Sequence, residues 1–410
     1  MLLGVVLVVA LQTCADAPEC RRAALDAIAQ QDYERAHDLA WRAVQKGKPN
    51  DPDLMLVLAR AMALSGRPGD ALVMLGRAAD HGPLPDVTTD SDFSSVRALS
   101  GWPDLEAKLT GATRPPAPSA PAPSAPTPSA PSAPLAPSAP RDSADALAFD
   151  APNLNPFALA HDAVSRRFVL GDRRAHRLLV IDEVSHNVTT YVTAQTAGFY
   201  DDLTALTIDV PRGDLWVASA RGEGSERASV VHKLQLISGR LLTEVRAPDA
   251  AAPLRIVSLA VMPDGTVYAL DGAGERLFRV RPGTRSLQEV MRLQGEGYAA
   301  LTAAGDRALY AARAGQLVRI DPAARTLVTL KSAQALGAFE SLAWHNGVLV
   351  GVEHTGDRFD VVRLKTDGSG TRIVSRQVVA SSSNATVGSL GGDSYYYLGE
   401  DGTIRRVALR

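Results

Sequence analysis

The sequence predicts two folded parts, a small all-α module and an all-β propeller of six blades, joined by a disordered linker rich in Pro, Ala and Ser. Three observations predict this. A strand-turn-strand unit recurs six times between about residue 155 and the C-terminus, with copies ending FVLGD (168–172), LWVAS (215–219), VYALD (267–271), LYAAR (309–313), LVGVE (349–353) and YYLGE (396–400). The apolar strands preceding them centre on Leu159, Leu206, Leu259, Leu301, Leu342 and Leu390, at spacings of 47, 53, 42, 41 and 48 residues, a blade-like period. Upstream, apolar residues instead recur at i, i+3, i+4 and i+7, the period of helices.

Bulk composition narrows the class. The 410 residues exceed one ordinary core, and 46% apolar with 21% charged residues is a globular balance. A net charge of −2 from 43 basic and 45 acidic residues argues against a nucleic-acid partner or an anionic membrane surface. Only Cys14 and Cys20 occur, so no cysteine framework or thiolate metal site can lie in the larger domain.

Residues 1–17 read as an export signal. MLLGVVLVVAL is apolar but too short to span a bilayer, and Thr13-Cys14-Ala15 and Ala15-Asp16-Ala17 offer small residues for cleavage. The expected location is periplasmic or extracellular, with no transmembrane span after cleavage. Thr13 is a poor residue before a lipidated cysteine, so a lipid anchor at Cys14 is the lesser alternative. Cleavage at either site would leave Cys20 alone.

Residues 18–112 form the helical module. Its helices break at GKPNDP, SGRPGD and HGPLPD, and DSDFSSVRALSGWPDLEAKL supplies a capping helix or two with Phe93, Val96, Leu99, Trp102 and Leu105 facing inward. Leu58, Ala59, Gly66, Ala71, Ala78 and Pro83, and before them Asp32-Tyr33, Ala36 and Ala43, fall on a repeating pattern of small and apolar positions. Ala36 and Ala71 stand 35 residues apart. In these positions the module resembles tetratricopeptide repeats, which implies closely crossing helix pairs and a groove for a protein partner.

Residues 113–142 contain RPPAPSAPAPSAPTPSAPSAPLAPSAP, with no apolar surface to bury. Such a segment is expected to be a disordered, semi-rigid spacer letting the two parts tumble nearly independently.

Residues 143–410 form the propeller. The unit beginning at 203 reads LTALTID, GDLWVAS, ASVVHKLQL and LLTEV, and the one from 254 reads LRIVSLAV, TVYALD, RLFRV and LQEVMRL. The last copy lacks an outer strand, which ALAFD (146–150) can supply, closing the ring and removing open edges. Seven blades is the alternative count, since the unit at 203–253 is long. PFALAHDAVSRRFVLGD and VMPDGTVYALD resemble the gluconolactonase-like and NHL-type six-bladed propellers. That resemblance implies one divalent cation in the central channel, held by a Glu opening the first inner strand with Asn and Asp from later blades. Phe157 stands at the glutamate's position, and the later units open with LTALT, IVSLA and YAALT rather than Asn-Gly.

The loops approaching inner strands and leaving second strands share one face around the channel. Second strands close on Asp172, Ser219, Asp271, Arg313, Glu353 and Glu400, and Asn155, Asp201, Asp202, Arg255, Tyr298, Glu340 and Asn384 lie near inner-strand starts. An acid-rich mouth suits a hard cation such as calcium, a small polar ligand or a partner loop, although Asp also commonly caps turns. The ligand or cation candidates are Asp172, Asp202, Arg255, Asp271, Arg313, Glu340, Glu353 and Glu400. No two histidines form an i, i+4 ligand pair, Ser219 lacks a G-x-S-x-G elbow, and GEGSER (222–227) is followed by no phosphate-binding Lys or helix. The expectation is an exported, non-enzymatic binding or scaffolding protein without catalytic residues. The alternative is a gluconolactonase-like, metal-dependent lactone or ester hydrolase using Asp172, Asp202, Asp271 and Glu353.

Overall fold

The structure, a computed structural model, describes residues 14–111, 146–151, 153–248, 253–382, 387–399 and 402–409. The export signal up to residue 13, the linker, Asn384 and Glu400 lie outside the described residues.

Four helices, α1 (Ala17–Ala29), α2 (Tyr33–Lys46), α3 (Pro52–Leu64) and α4 (Pro68–Ala79), form two hairpins. Their starts follow from local chemistry. The carboxylates of Asp16, Asp32 and Asp51 accept from the backbone N–H groups of the first turns of α1, α2 and α3, and Pro18, Pro52 and Pro68 occupy first-turn positions where the missing N–H costs nothing. Ala36, Ala43, Leu58, Ala59, Ala71 and Ala78 are fully inaccessible, so the small positions lie where the helices cross. The chain then makes a single 3-10 turn (Ser91–Phe93), α5 (Ser94–Arg97) and α6 (Trp102–Leu109); Phe93, Val96, Trp102 and Leu105 are buried and Leu99 is half-buried. In the uncleaved chain Cys20 of α1 forms a disulfide with Cys14, and both residues are buried in the core of the module.

Six four-stranded antiparallel sheets follow, each in sequential order from the channel outward, except the last. That sheet takes its outer strand from the start of the domain, Ala146 pairing with Arg405 and Leu147 with Ile404, so the ring closes as the sequence predicts, through two residues rather than five. The count is six blades, not seven. The long unit at 203–253 spends its extra length on eight-residue strands (Asp202–Asp209, Asp214–Arg221 and Ala228–Gln235) and a 3-10 turn.

Each inner strand runs from an upper face, holding the blade-to-blade connections and the second-to-third-strand turns, to a lower face with the remaining turns. The helical module sits on this lower face at blades one and two. Trp41 is inaccessible; its indole N–H donates to the Val210 carbonyl at 2.6 Å, and Gln45 donates to the same oxygen. The ring lies over Gly213, whose φ is +65° and where a Cβ would come within 2.6 Å of Trp41 Cζ2. A glycine is needed there for backbone and for space alike. Asp70 of α4, 1% exposed, pairs with Arg240 at 3.4 Å. The Arg77 guanidinium is held down to about 10 by burial and by Arg167 beside it. Arg167 is itself buried, bonded to Asp162 at 3.0 Å and stacked 4.9 Å from the Tyr191 ring centre. One continuous apolar cluster crosses the junction. Independent tumbling of the two parts is therefore overturned: the linker's composition says nothing about surfaces that meet elsewhere.

The docked turn carries a testable charge. Asp209, 1% exposed and opposite Asp214 in the register, is pushed up to about 6 by burial, with Arg212 opposing that rise. Its folded value exceeds the ordinary 3.8, so the folded state holds a proton that the unfolded state has released. The stability this contributes is present below the ordinary value and lost as pH rises toward about 6. Urea unfolding at pH 4 and pH 7 is expected to show a smaller pH-dependent loss in Asp209→Asn than in the parent chain; equal losses would contradict the assignment.

Candidate functional site

The upper end of the channel is shaped by a repeated backbone irregularity. In each of the first five blades the inner strand slips register once, one residue after pairing with the residue that closes the second strand. In blade one, for example, Pro156 faces Asp172 and Ala158 faces Gly171, leaving Phe157 extra. The extra residues are Phe157, Thr204, Val257, Ala299 and Glu340, and all five line the channel, with Val387 completing the ring ahead of blade six's inner strand. A bulge re-aims a side chain that a regular strand would direct between sheets. Below them, Ala158, Ala205, Ser258, Ala300, Ser341 and Gly388 are small enough to leave a cavity of about 310 Å³.

The residues closing the second strands hold this arrangement in place. Asp172 accepts from the N–H groups of Asn155 and Arg174 at 3.3 and 3.2 Å and pairs with Arg177 at 3.2 Å. Asp271 accepts from Arg255 and Ala273 N–H at 3.0 Å each and pairs with Arg276 at 2.7 Å. Glu353 accepts from Gly337 N–H at 2.7 Å and from Arg376 Nε at 3.0 Å, and Ser219 Oγ accepts from Tyr200 N–H at 3.0 Å. All four residues are at most 2% exposed. Each ties the loop approaching an inner strand to the second strand of its own blade, just ahead of the bulge. Blade four departs from this: Arg313 donates to the Gln294 carbonyl and to Gln316, and stacks 5.8 Å from the Tyr298 ring centre.

The other candidates lie nearer solvent. Asp202 bridges Arg173 at 3.0 Å and Arg255 at 2.5 Å, linking blades one, two and three. Arg173 also stacks 5.8 Å from the Phe157 ring centre, and that ring rests on Gly171, where any Cβ would collide with it. Glu340, 41% exposed, has His354 at 4.0 Å as its one ion-pair neighbour among the described residues. Of the seven described candidates, Glu340 alone lines the channel. Asp172, Asp271 and Glu353 remain in separate blades, each with its arginine, and among the described residues no group of three His, Cys, Asp or Glu could hold a metal ion.

Comparison with solved structures finds matches of low identity. A streptogramin B lyase is 17% identical, with 65% of this chain and 87% of that one covered at a TM-score of 0.45. A PQQ-bound aldose sugar dehydrogenase from Streptomyces coelicolor is 13% identical, covering 65% and 98% at 0.45. A protein of unknown function from Bacteroides thetaiotaomicron is 17% identical, covering 65% and 72% at 0.48. No protein-family model and no curated protein matches the chain. Likeness at this level assigns no activity.

Sequence reasoning singled out Phe157, Glu340 and the residues closing the second strands, but missed the rest of the bulge ring. It also missed the arginines that neutralise those closing residues. A signal was present for two of them: Asp172 and Arg177, and Asp271 and Arg276, share a spacing of five residues in GDRRAHR and LDGAGER. Among the described residues no helix is long and apolar enough to cross a membrane.

Proposed function

We propose that this chain is an exported, non-enzymatic binding protein whose propeller takes a ligand at the upper channel mouth. The observation that carries this reading is the use made of the carboxylates. Asp172, Asp271 and Glu353, which a metal-dependent hydrolase would turn toward a cation, are buried as caps and ion pairs, and Glu340 is left as the one carboxylate in the bulge ring. A calcium ion takes six to eight oxygen ligands, and this ring offers two side chains that bear oxygen, those of Thr204 and Glu340. The titratable group nearest Glu340, His354, lies 4.0 Å away, beyond direct hydrogen-bond distance, and stacks on Phe359.

The helical module, tetratricopeptide-like in its 35-residue offset and small crossing positions, is in this reading the protein-facing part. α2 and α4 bond to the propeller and α3 is largely buried, so in this reading the partner surface lies on the exposed side of α1, with Glu19, Arg21, Arg22 and Asp26. Export draws support from the Cys14–Cys20 disulfide, since such bonds persist in oxidising compartments. Cleavage after Ala15 or Ala17 would separate the two cysteines, so the reading includes processing ahead of Cys14.

Assays of the full chain against lactones and aryl esters, with Ca²⁺, Mn²⁺ or Zn²⁺ present, are expected to show no turnover above buffer. Saturable turnover that disappears in Glu340→Gln or Asp202→Asn would overturn the binding reading and restore the hydrolase.

A further inference from the structure

The six positions of the bulge ring are chemically unequal, and the inequality names a ligand class. Phe157, Val257, Ala299 and Val387 are apolar, and Thr204 spends its hydroxyl on the Ala218 carbonyl at 3.2 Å. Glu340 is the only charged member, and no Lys or Arg among the described residues pairs with it. The four buried or half-buried carboxylates that brace the approaches to the inner strands are answered by arginines: Asp172 by Arg177, Asp202 by Arg173 and Arg255, Asp271 by Arg276, and Glu353 by Arg376. Glu340, with the His354 ring at 4.0 Å and no guanidinium or ammonium paired with it among the described residues, thus stands at the rim of a cavity of about 310 Å³ whose next layer is Ala, Ser and Gly.

Resting on the binding reading above, we infer that the mouth selects a small organic ammonium, with its charged head at Glu340 and its apolar body directed down the channel. Three physical constraints favour this class. An anion would face the Glu340 carboxylate with no basic residue in the ring. A metal ion would have to exchange most of its hydration shell for one carboxylate and one hydroxyl already in use, well short of its coordination demand. An ammonium loses less: at 41% exposure Glu340 sits at the boundary of water, so the head keeps part of its hydration while donating a charge-assisted hydrogen bond. The body gains from the layer beneath, where small side chains leave room that larger ones would fill. A cavity of this size lies at the lower end of the range for small-molecule pockets and far exceeds the space of a single water.

The test uses the full chain and three probes of equal length: hexylammonium, hexanol and hexanoate. Calorimetric titration is expected to show hexylammonium binding at least tenfold more tightly than hexanol, with no binding of hexanoate. Affinity should rise with each methylene from butyl- to hexylammonium, by at most about fourfold, the factor matching about 0.8 kcal/mol per fully buried methylene. Glu340→Gln, a substitution at an exposed position, should weaken hexylammonium at least tenfold and leave hexanol unchanged. If the three probes bind equally and Glu340→Gln changes nothing, the ammonium inference fails while the channel remains a binding site. If no probe binds at millimolar concentration, the inference fails outright, and the binding reading is then decided by the turnover assays alone.

Discussion

Trp41→Ala is expected to detach the helical module from the propeller and to cost about 3–5 kcal/mol, the range for deleting a fully buried aromatic side chain. The magnitude follows from position. The indole is inaccessible, fills the space against Gly213 and donates to the Val210 carbonyl at 2.6 Å, so its loss leaves a cavity and removes one of the two hydrogen bonds to that oxygen, Gln45 keeping the other. A protease site placed between residues 120 and 130 separates the docked and tethered arrangements. After cleavage the parent chain should elute as one species carrying both fragments, and the Trp41→Ala chain should elute as two. Dissociation of the parent fragments on cleavage would show that the linker, not the interface, holds the parts together. Trp41→Phe keeps most of the apolar contact while losing the N–H donor, and should fall between the two in stability.

The second large effect is expected at Asp271. This carboxylate is wholly inaccessible, paired with Arg276 at 2.7 Å, and accepts from two backbone N–H groups. Asp271→Ala would leave the Arg276 guanidinium, 7% exposed, without its carboxylate though still bonded to the Pro253 carbonyl, and removing one partner of a buried pair costs about 3–5 kcal/mol. Urea unfolding measures it directly. Adding Arg276→Met to Asp271→Ala should recover part of the loss, since the stranded charge goes with it. The same series distinguishes a positioning residue from a cation ligand. If calcium stabilises the parent chain but not Asp271→Ala, the carboxylate is a ligand and the structural account is wrong. If the loss is the same with and without calcium, Asp271 serves the backbone of blade three.

The two predictions concern residues whose importance the linear sequence conveyed unequally. Asp271 closes VYALD, one of the six repeated endings, and its place at the channel face was readable from strand order. Its partner was not, because an Arg five residues on in LDGAGER looks like any solvated turn until the third strand pairs back and brings it under cover. Trp41 reads as an ordinary apolar position of α2. Its contact with Val210 spans 169 residues and bridges two parts that share no sequence pattern.

What the sequence determined alone is whatever local periodicity encodes: the helix breaks at Asp-Pro and Gly-Pro, four strands per blade, six blades, and a ring closed by the segment before the first copy. These follow from hydrophobic spacing and turn chemistry within a few tens of residues. What only the tertiary structure decided is the register slip that turns Phe157, Thr204, Val257, Ala299 and Glu340 into the channel, the arginines answering Asp172, Asp271 and Glu353, and the seat of the helical module on the lower face. Each depends on which strand or surface a residue finally meets. A one-residue slip sends a side chain to the other face of its strand, and the composition of that strand is the same before and after the slip.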